Sequence, residues 1–163
     1  IAAVAGLPVR CTLCTMLAIA VPAAIASAQA GDPVFGTWEL NVAKSTWSPG
    51  PGPKSSTRTY VAVGKGYKFS SETIDAAGKP TTVTFTVDFD GKYHPMTGSS
   101  TADSIMVERV DANTTKSTQT KAGKVVIHTT RVISKDGKTL TSTTTGTNAD
   151  GKAIKNVEVF DKR

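Results

Sequence analysis

The sequence is poor in cysteine, and its two cysteines, Cys11 and Cys14, both lie in an apolar N-terminal stretch. Their C-x-x-C spacing is typical of metal and redox sites. We reject that interpretation because the stretch is apolar and, as argued below, is expected to be removed. No cysteine follows residue 30, so packing and backbone hydrogen bonding must hold the rest of the chain together, without disulfides.

Residues that carry common chemistry are also scarce. The chain has two histidines, His94 and His128, and no cluster of metal-ligand residues, no nucleophile elbow and no glycine-rich phosphate loop opening a helix. Aromatic residues make up 6% of the chain and do not alternate with a basic stripe, as a nucleic-acid surface would require. We therefore predict a protein that is not an enzyme, has no metal or cofactor, and has no nucleic-acid partner.

The first 30 residues contain no acidic side chain, and Arg10 is their one charged residue. Residues 11–26 form an apolar core, and Ala28-Gln29-Ala30 is an A-x-A cleavage pattern. This order is typical of a secretory signal peptide. A transmembrane anchor is the alternative, and Pro22 counts against it. We predict a cleaved signal peptide over residues 1–30 and one domain over 31–163, periplasmic or secreted, monomeric and not inserted in a membrane.

Glycines at a fixed spacing divide the rest of the chain into short segments. Gly123, Gly137 and Gly151 fall fourteen residues apart and separate runs of alternating polar and apolar residues. That spacing fits two strands of about five or six residues and one tight turn. Alternation is clearest over residues 81–89, and in all we count ten strands and no helix. A meander of this length closes into a barrel or folds into two packed sheets, since open edges promote aggregation.

The longest gap between predicted strands spans residues 43–54. It contains Pro49, Pro51 and Pro53 separated by glycines, and no helix can run through prolines at that spacing. We expect a single turn near Val42 at most, followed by the most flexible loop of the chain. Trp47 in this loop would line an entrance, contact a membrane or simply pack locally.

Both ends of the strand series resemble one known group of barrels. Gly36-Thr37-Trp38-Glu39-Leu40 looks like the opening G-x-W strand of the calycins, and Thr130-Arg131-Val132 with Val159-Phe160-Asp161-Lys162 resembles the closing strands of fatty-acid-binding proteins. The chain is also similar to small secreted bacterial lipocalin-like proteins. The resemblance implies an all-β fold, in which a ten-stranded antiparallel up-and-down meander closes into a calycin-like β-barrel. It also implies a small apolar or amphipathic ligand inside.

Two departures from the fatty-acid-binding pattern matter. The family has a helical lid after its first strand, whereas this chain has only the proline-rich loop. The family also holds the ligand carboxylate with an Arg-x-Tyr pair on its last strand, and the matching positions here are Glu158 and Phe160. Arg58-Thr59-Tyr60 on the second strand is an Arg-x-Tyr pair that would supply the missing donors, unless the match is a coincidence.

We predict that the ligand contacts aromatic and aliphatic side chains and is anchored by arginine. An inward mid-strand arginine offers a planar donor fork to an anion; the alternative for each arginine is a side chain that faces solvent or pairs with a glutamate. Glu158 would pair with Arg131 or Arg109 inside the barrel or, in the opposite strand phase, face water. The candidate ligand-binding residues are Arg131, Arg109, Tyr60, Phe69, Phe85, Val87, Phe160 and Glu158.

The function predicted from these residues is a secreted or periplasmic carrier of a small hydrophobic or amphipathic ligand. The alternative is a non-enzymatic module that binds a protein or envelope component and has a filled interior. The third hypothesis is a barrel that binds haem through His128. No second ligand residue lies near His128 in the sequence, which counts against this hypothesis.

Overall fold

The computed structural model describes residues 31–163, so the expected signal peptide and both cysteines lie outside the described residues. Ten strands follow one another along the described chain. They are β1 Gly36–Leu40, β2 Ser55–Val63, β3 Gly66–Ile74, β4 Pro80–Val87, β5 His94–Thr97, β6 Ser104–Arg109, β7 Thr114–Lys121, β8 Lys124–Ile133, β9 Thr139–Thr147 and β10 Ala153–Lys162. A single 3₁₀ turn, Val42–Lys44, follows β1.

The strands form one closed barrel. Each strand pairs antiparallel with the next, and β1 closes the ring by pairing with β10, Trp38 opposite Lys162 and Leu40 opposite Phe160. Closure leaves no open edge to pair with another chain. The ten strands predicted from the alternating pattern are confirmed, and so is the closed all-β barrel that the resemblance implied. Within residues 31–163 no helix is long and apolar enough to cross a membrane.

The repeated glycines lie at the hairpin turns, as their spacing predicts. Gly123, Gly137 and Gly151 have φ values of 76°, 69° and 77°, and they follow β7, β8 and β9 in turn. A residue with a β-carbon is strained at such angles, whereas glycine adopts them freely. Each glycine therefore permits a tight connection between neighbouring strands.

The inward faces of the threonine-rich strands could not be assigned from their composition, and the structure assigns them. On β9, Leu140 and Ser142 are buried while Thr143 and Thr145 are exposed. On β7, Thr115 and Ser117 are buried. The interior therefore contains hydroxyl groups as well as apolar side chains, since side chains alternate between the two faces of a strand.

One half of the interior is filled by large side chains. Trp38 is fully buried, and its Nε1 donates to the carbonyl of Val34 at 2.8 Å. Tyr60 and Tyr67 are also buried, with ring centroids 5.3 Å apart in an edge-to-face arrangement. Phe160 is fully buried as well. These residues form the closed half of the barrel.

The proline-rich loop is held against the barrel more firmly than its composition suggests. Thr46 exchanges two backbone hydrogen bonds with Val157, at 2.8 and 2.9 Å, and Ser48 exchanges two with Lys155, at 3.1 and 2.8 Å. Because β1 ends at Leu40, the adjoining backbone of β10 would otherwise have no partner on that side. We call residues 45–54 the strap. The strap lies between β1 and β2, the position at which fatty-acid-binding proteins have a helical lid. No α-helix occurs within residues 31–163.

The indole ring of Trp47 packs against Gly52 within the strap. A β-carbon added at Gly52 would lie 2.2 Å from the indole ring of Trp47, so only glycine leaves room for the ring. The indole is partly buried against the core. Of the three roles considered for Trp47, local packing at the rim of the barrel is the one these contacts show.

Candidate functional site

A cavity of about 250 Å³ occupies the half of the barrel away from Trp38. Its apolar lining includes Phe69, Phe85, Met96, Ile105 and Ile127, and its polar lining includes Ser71, Ser117, Gln119, Thr129 and Asn156. Three charged residues also line it, namely Arg58, Arg131 and Glu158. Mixed walls with a few polar groups are typical of small-molecule sites.

A row of polar side chains crosses four neighbouring strands beside this cavity. Arg131 on β8 lies opposite Thr115 on β7 and opposite Ser142 on β9. Ser142 in turn lies opposite Glu158 on β10. We call Thr115, Arg131, Ser142 and Glu158 the polar belt. Because directly opposed residues point to the same face of a sheet, the four side chains meet at one level of the interior.

Arg131 is a buried cation with incomplete hydrogen bonding. Its side chain is among the buried residues, at 7% exposure. Nη1 donates to the hydroxyl of Tyr67 at 3.2 Å and to that of Thr115 at 3.3 Å, and the guanidinium lies 5.0 Å from the ring centroid of Tyr60. Among the described residues, its Nε has no hydrogen-bond partner. Within residues 31–163 no carboxylate lies within ion-pair distance of Arg131, and residues 1–30 contain no acidic residue.

Burial also changes the acidity of the neighbouring phenol. Burial raises the pKa of Tyr67, and this outweighs the opposite effect of the Arg131 charge beside it. Tyr67 therefore stays protonated at neutral pH and accepts from Arg131 as a neutral hydroxyl. The tyrosine orients the guanidinium but does not neutralise it.

The other arginine of the cavity is neutralised. Arg58 Nη2 lies 2.6 Å from Glu158 Oε2, and Arg58 Nη1 donates to Ser142 at 3.0 Å. Its guanidinium stacks over the ring of Phe160 at 4.0 Å. The two ion-pair side chains are 17% and 16% exposed. Trp47 of the strap also donates to Glu158, at 3.4 Å, so the pair ties β2 and β10 to the strap.

The structure separates the sequence-based candidates into three groups. Arg131, Phe69, Phe85 and Glu158 line the cavity. Tyr60, Val87 and Phe160 are buried in the adjoining core. Arg109 is exposed at the other end of the barrel, where it pairs with Asp32 and lies 4.5 Å from the ring of Phe89.

The partner of Glu158 differs from the two that the sequence suggested. Neither Arg131 nor Arg109 pairs with it; Arg58 does. The sequence indicated Arg58 only as part of an Arg-x-Tyr pair, and of that pair Arg58 contacts Glu158 and Phe160 on the last strand. Thr115, Ser142 and Tyr67 were not identified, because hydroxyl residues are too numerous in this sequence for one to stand out.

The histidines lie away from the cavity. His128 is exposed on β8 between the inward residues Ile127 and Thr129, and its Nδ1 lies 3.3 Å from the Thr118 hydroxyl. His94 contacts Asp90 at 2.8 Å in the turn before β5. Haem binding through His128 requires its side chain to point into the barrel. The alternation of side chains along β8 places it on the outer face instead. No group of three metal-ligand residues occurs in residues 31–163.

Comparison with known proteins gives weak likenesses only. No protein-family model and no curated protein sequence matches the chain. Among solved structures, the chain is similar to zebrafish ileal bile acid-binding protein complexed with cholic acid. The two are 16% identical with a TM-score of 0.43, over 80% of this chain and 99% of that one. It is also similar to the siderocalin Ex-FABP, at 12% identity and a TM-score of 0.36, over 80% of this chain and 71% of that one. Independently of these matches, the strand order and closure fit the ten-stranded calycin barrel.

Proposed function

We propose that this chain is a non-enzymatic, secreted or periplasmic carrier that binds a small amphipathic ligand in its interior cavity. The acidic head group of the ligand would lie at Arg131. The observation that carries this proposal is a buried guanidinium that lines the cavity with no carboxylate partner and an unbonded Nε.

Burying a charge without a partner is unfavourable by several kcal/mol. The two hydrogen bonds to hydroxyls offset only part of that cost, because they are long, at 3.2 and 3.3 Å, and a neutral hydroxyl carries no opposite charge. A ligand carboxylate would offset the rest, since it accepts charge-assisted hydrogen bonds from the guanidinium. Arg131 is therefore better satisfied with an anion bound than without one.

The volume of the cavity limits the size of the ligand. The space of about 250 Å³ corresponds to the liquid volume of about eight water molecules. Pockets for drug-sized ligands usually measure about 300–1,000 Å³. A compact acid such as octanoate fits this space, with its alkyl chain against Phe69, Phe85 and Ile127.

The open half of the interior counts against the alternative function, a module that binds a protein or envelope component and has a filled interior. A module that acts only through its outer surface needs no interior space, whereas half of this barrel is open and lined by charged and apolar side chains. Among residues 31–163, no histidine lines the cavity, and histidine is the usual general base of enzymes. Both observations favour a carrier.

Calorimetric titration of the solvent-extracted protein with octanoate and with octan-1-ol tests the proposal. We expect octanoate to bind in a one-to-one complex and at least about 10-fold more tightly than the alcohol, because a hydrogen bond to a charged group contributes about 1.5–3 kcal/mol. The two ligands have the same chain length, so apolar burial is matched. Absence of octanoate binding, or equal affinity for both ligands, would overturn the proposal.

A further inference from the structure

The charged side chains that line the cavity carry a net positive charge. Its lining has two cations, Arg58 and Arg131, and one anion, Glu158. Arg58 and Glu158 are in contact at 2.6 Å, so they neutralise each other. One positive charge remains, and it lies on Arg131.

Arg58 is also occupied geometrically. One of its terminal nitrogens contacts Glu158, the other donates to Ser142, and its face covers the ring of Phe160. A second ligand anion could recruit Arg58 only by displacing Glu158 from its ion pair, and with the first anion bound at Arg131 the displaced carboxylate would have no cation to pair with. The cavity therefore offers one binding position for an anion and no second.

Glu158 lies close to that position. Arg131 and Glu158 are each directly opposite Ser142, so their backbones are two strand spacings apart, about 10 Å. We propose that the site accepts ligands with a single negative charge, and that Glu158 is the specificity-determining residue that excludes a second one. This inference rests on the proposed function.

The reason is electrostatic. Glu158 occupies Arg58, so a second ligand carboxylate would find no free cation among the described residues of the lining. The second charge would lose its hydration without gaining a partner, and this loss is larger in a buried site because the effective dielectric constant is lower there than in water. Discrimination by leaving a charge of the wrong ligand unpaired is a common route to specificity in binding sites.

Three ligands of similar length separate charge from size in the unaltered protein. They are octanoate, octanedioate and the monomethyl ester of octanedioate. We expect octanoate and the monoester to bind with affinities within about threefold of each other, and octanedioate to bind at least about 30-fold more weakly, because only octanedioate brings a second charge that has no cation to pair with. The monoester is larger than the diacid, so poor fit cannot produce this order.

A pair of variants then assigns the effect to one residue. Glu158→Gln keeps the size of the side chain and leaves Arg58 as a second unpaired cation. Asp161→Asn makes the same charge change on the same strand, at an acid whose partners, Asn41 and Lys44, lie outside the cavity. We expect the preference for octanoate over octanedioate to fall at least about tenfold in Glu158→Gln and to stay unchanged in Asp161→Asn, since the exposed charge is screened by solvent.

The outcomes separate this inference from the proposed function. If the unaltered protein binds no octanoate, the carrier proposal itself fails. If it binds octanoate and octanedioate equally, or rejects the monoester as strongly as the diacid, the carrier proposal stands and the charge selection is wrong. Circular dichroism establishes whether Glu158→Gln folds, and if it does not, the three-ligand comparison decides the question alone. An unchanged preference in folded Glu158→Gln would also refute the role of Glu158.

Discussion

Arg131→Met is expected to make the ligand-free protein more stable while removing its affinity for octanoate. Methionine fills a similar volume without a charge, and replacing buried charges by apolar side chains often stabilises a protein by about 1–4 kcal/mol. That range already includes the loss of the hydrogen bonds made by the buried charges, such as those that Arg131 makes to Tyr67 and Thr115. We therefore expect a stabilisation at its lower end, about 1–2 kcal/mol.

Ligand affinity should change in the opposite direction. Because the head group loses its one unpaired cation, octanoate should bind at least about 10-fold more weakly, which corresponds to about 1.4 kcal/mol. Urea unfolding and calorimetry on the same samples measure both effects. Arg109→Met is the matched control, since Arg109 is exposed and away from the cavity; its octanoate affinity should be unchanged. A destabilised Arg131→Met protein that still binds octanoate would show that the guanidinium is structural.

Trp38→Ala is expected to have the largest effect on folding. Trp38 is fully buried and donates to the Val34 carbonyl, and replacing a buried tryptophan by alanine typically costs about 3–5 kcal/mol. That is a large share of the stability of an ordinary domain, about 5–15 kcal/mol. Urea unfolding followed by circular dichroism gives the change without relying on tryptophan fluorescence.

Trp47→Ala is the control for this substitution, since it removes the other tryptophan of the chain. The Trp47 indole is only partly buried, and its hydrogen bond to Glu158 is long, at 3.4 Å. We expect a loss of about 1–2 kcal/mol, as for a partly buried group. Equal losses for the two variants would contradict the view that Trp38 anchors the closed half and Trp47 only packs at the rim.

Local sequence patterns were sufficient for most of the fold. Strands and turns are encoded by neighbouring residues, because side chains alternate along a strand and glycine permits the turn at Gly123, Gly137 and Gly151. The same alternation placed Arg131 in the middle of a strand, but it left open whether the side chain points into the barrel or toward solvent. The resemblance at both ends of the chain supplied closure, which no local pattern specifies.

The ion pair between Arg58 and Glu158 inside the barrel could not be predicted from local sequence patterns. Arg58 and Glu158 are 100 residues apart in sequence, and only the closure of β2 and β10 around the short β1 brings them into contact. The strap is a similar case. Its prolines and glycines indicate a loop, but its hydrogen bonds to Val157 and Lys155 depend on the backbone that β1 leaves unpaired. Both features depend on strand register and strand length.

A crystal structure of the protein with octanoate would show whether Arg131 holds an acidic head group inside the barrel. We predict the carboxylate within about 2.7–2.9 Å of Arg131 nitrogens, the range of charge-assisted hydrogen bonds, with the alkyl chain against Phe69 and Phe85 and the Arg58–Glu158 pair intact. A carboxylate bound at Arg58 with Glu158 displaced, or octanoate found only on the outer surface, would contradict it.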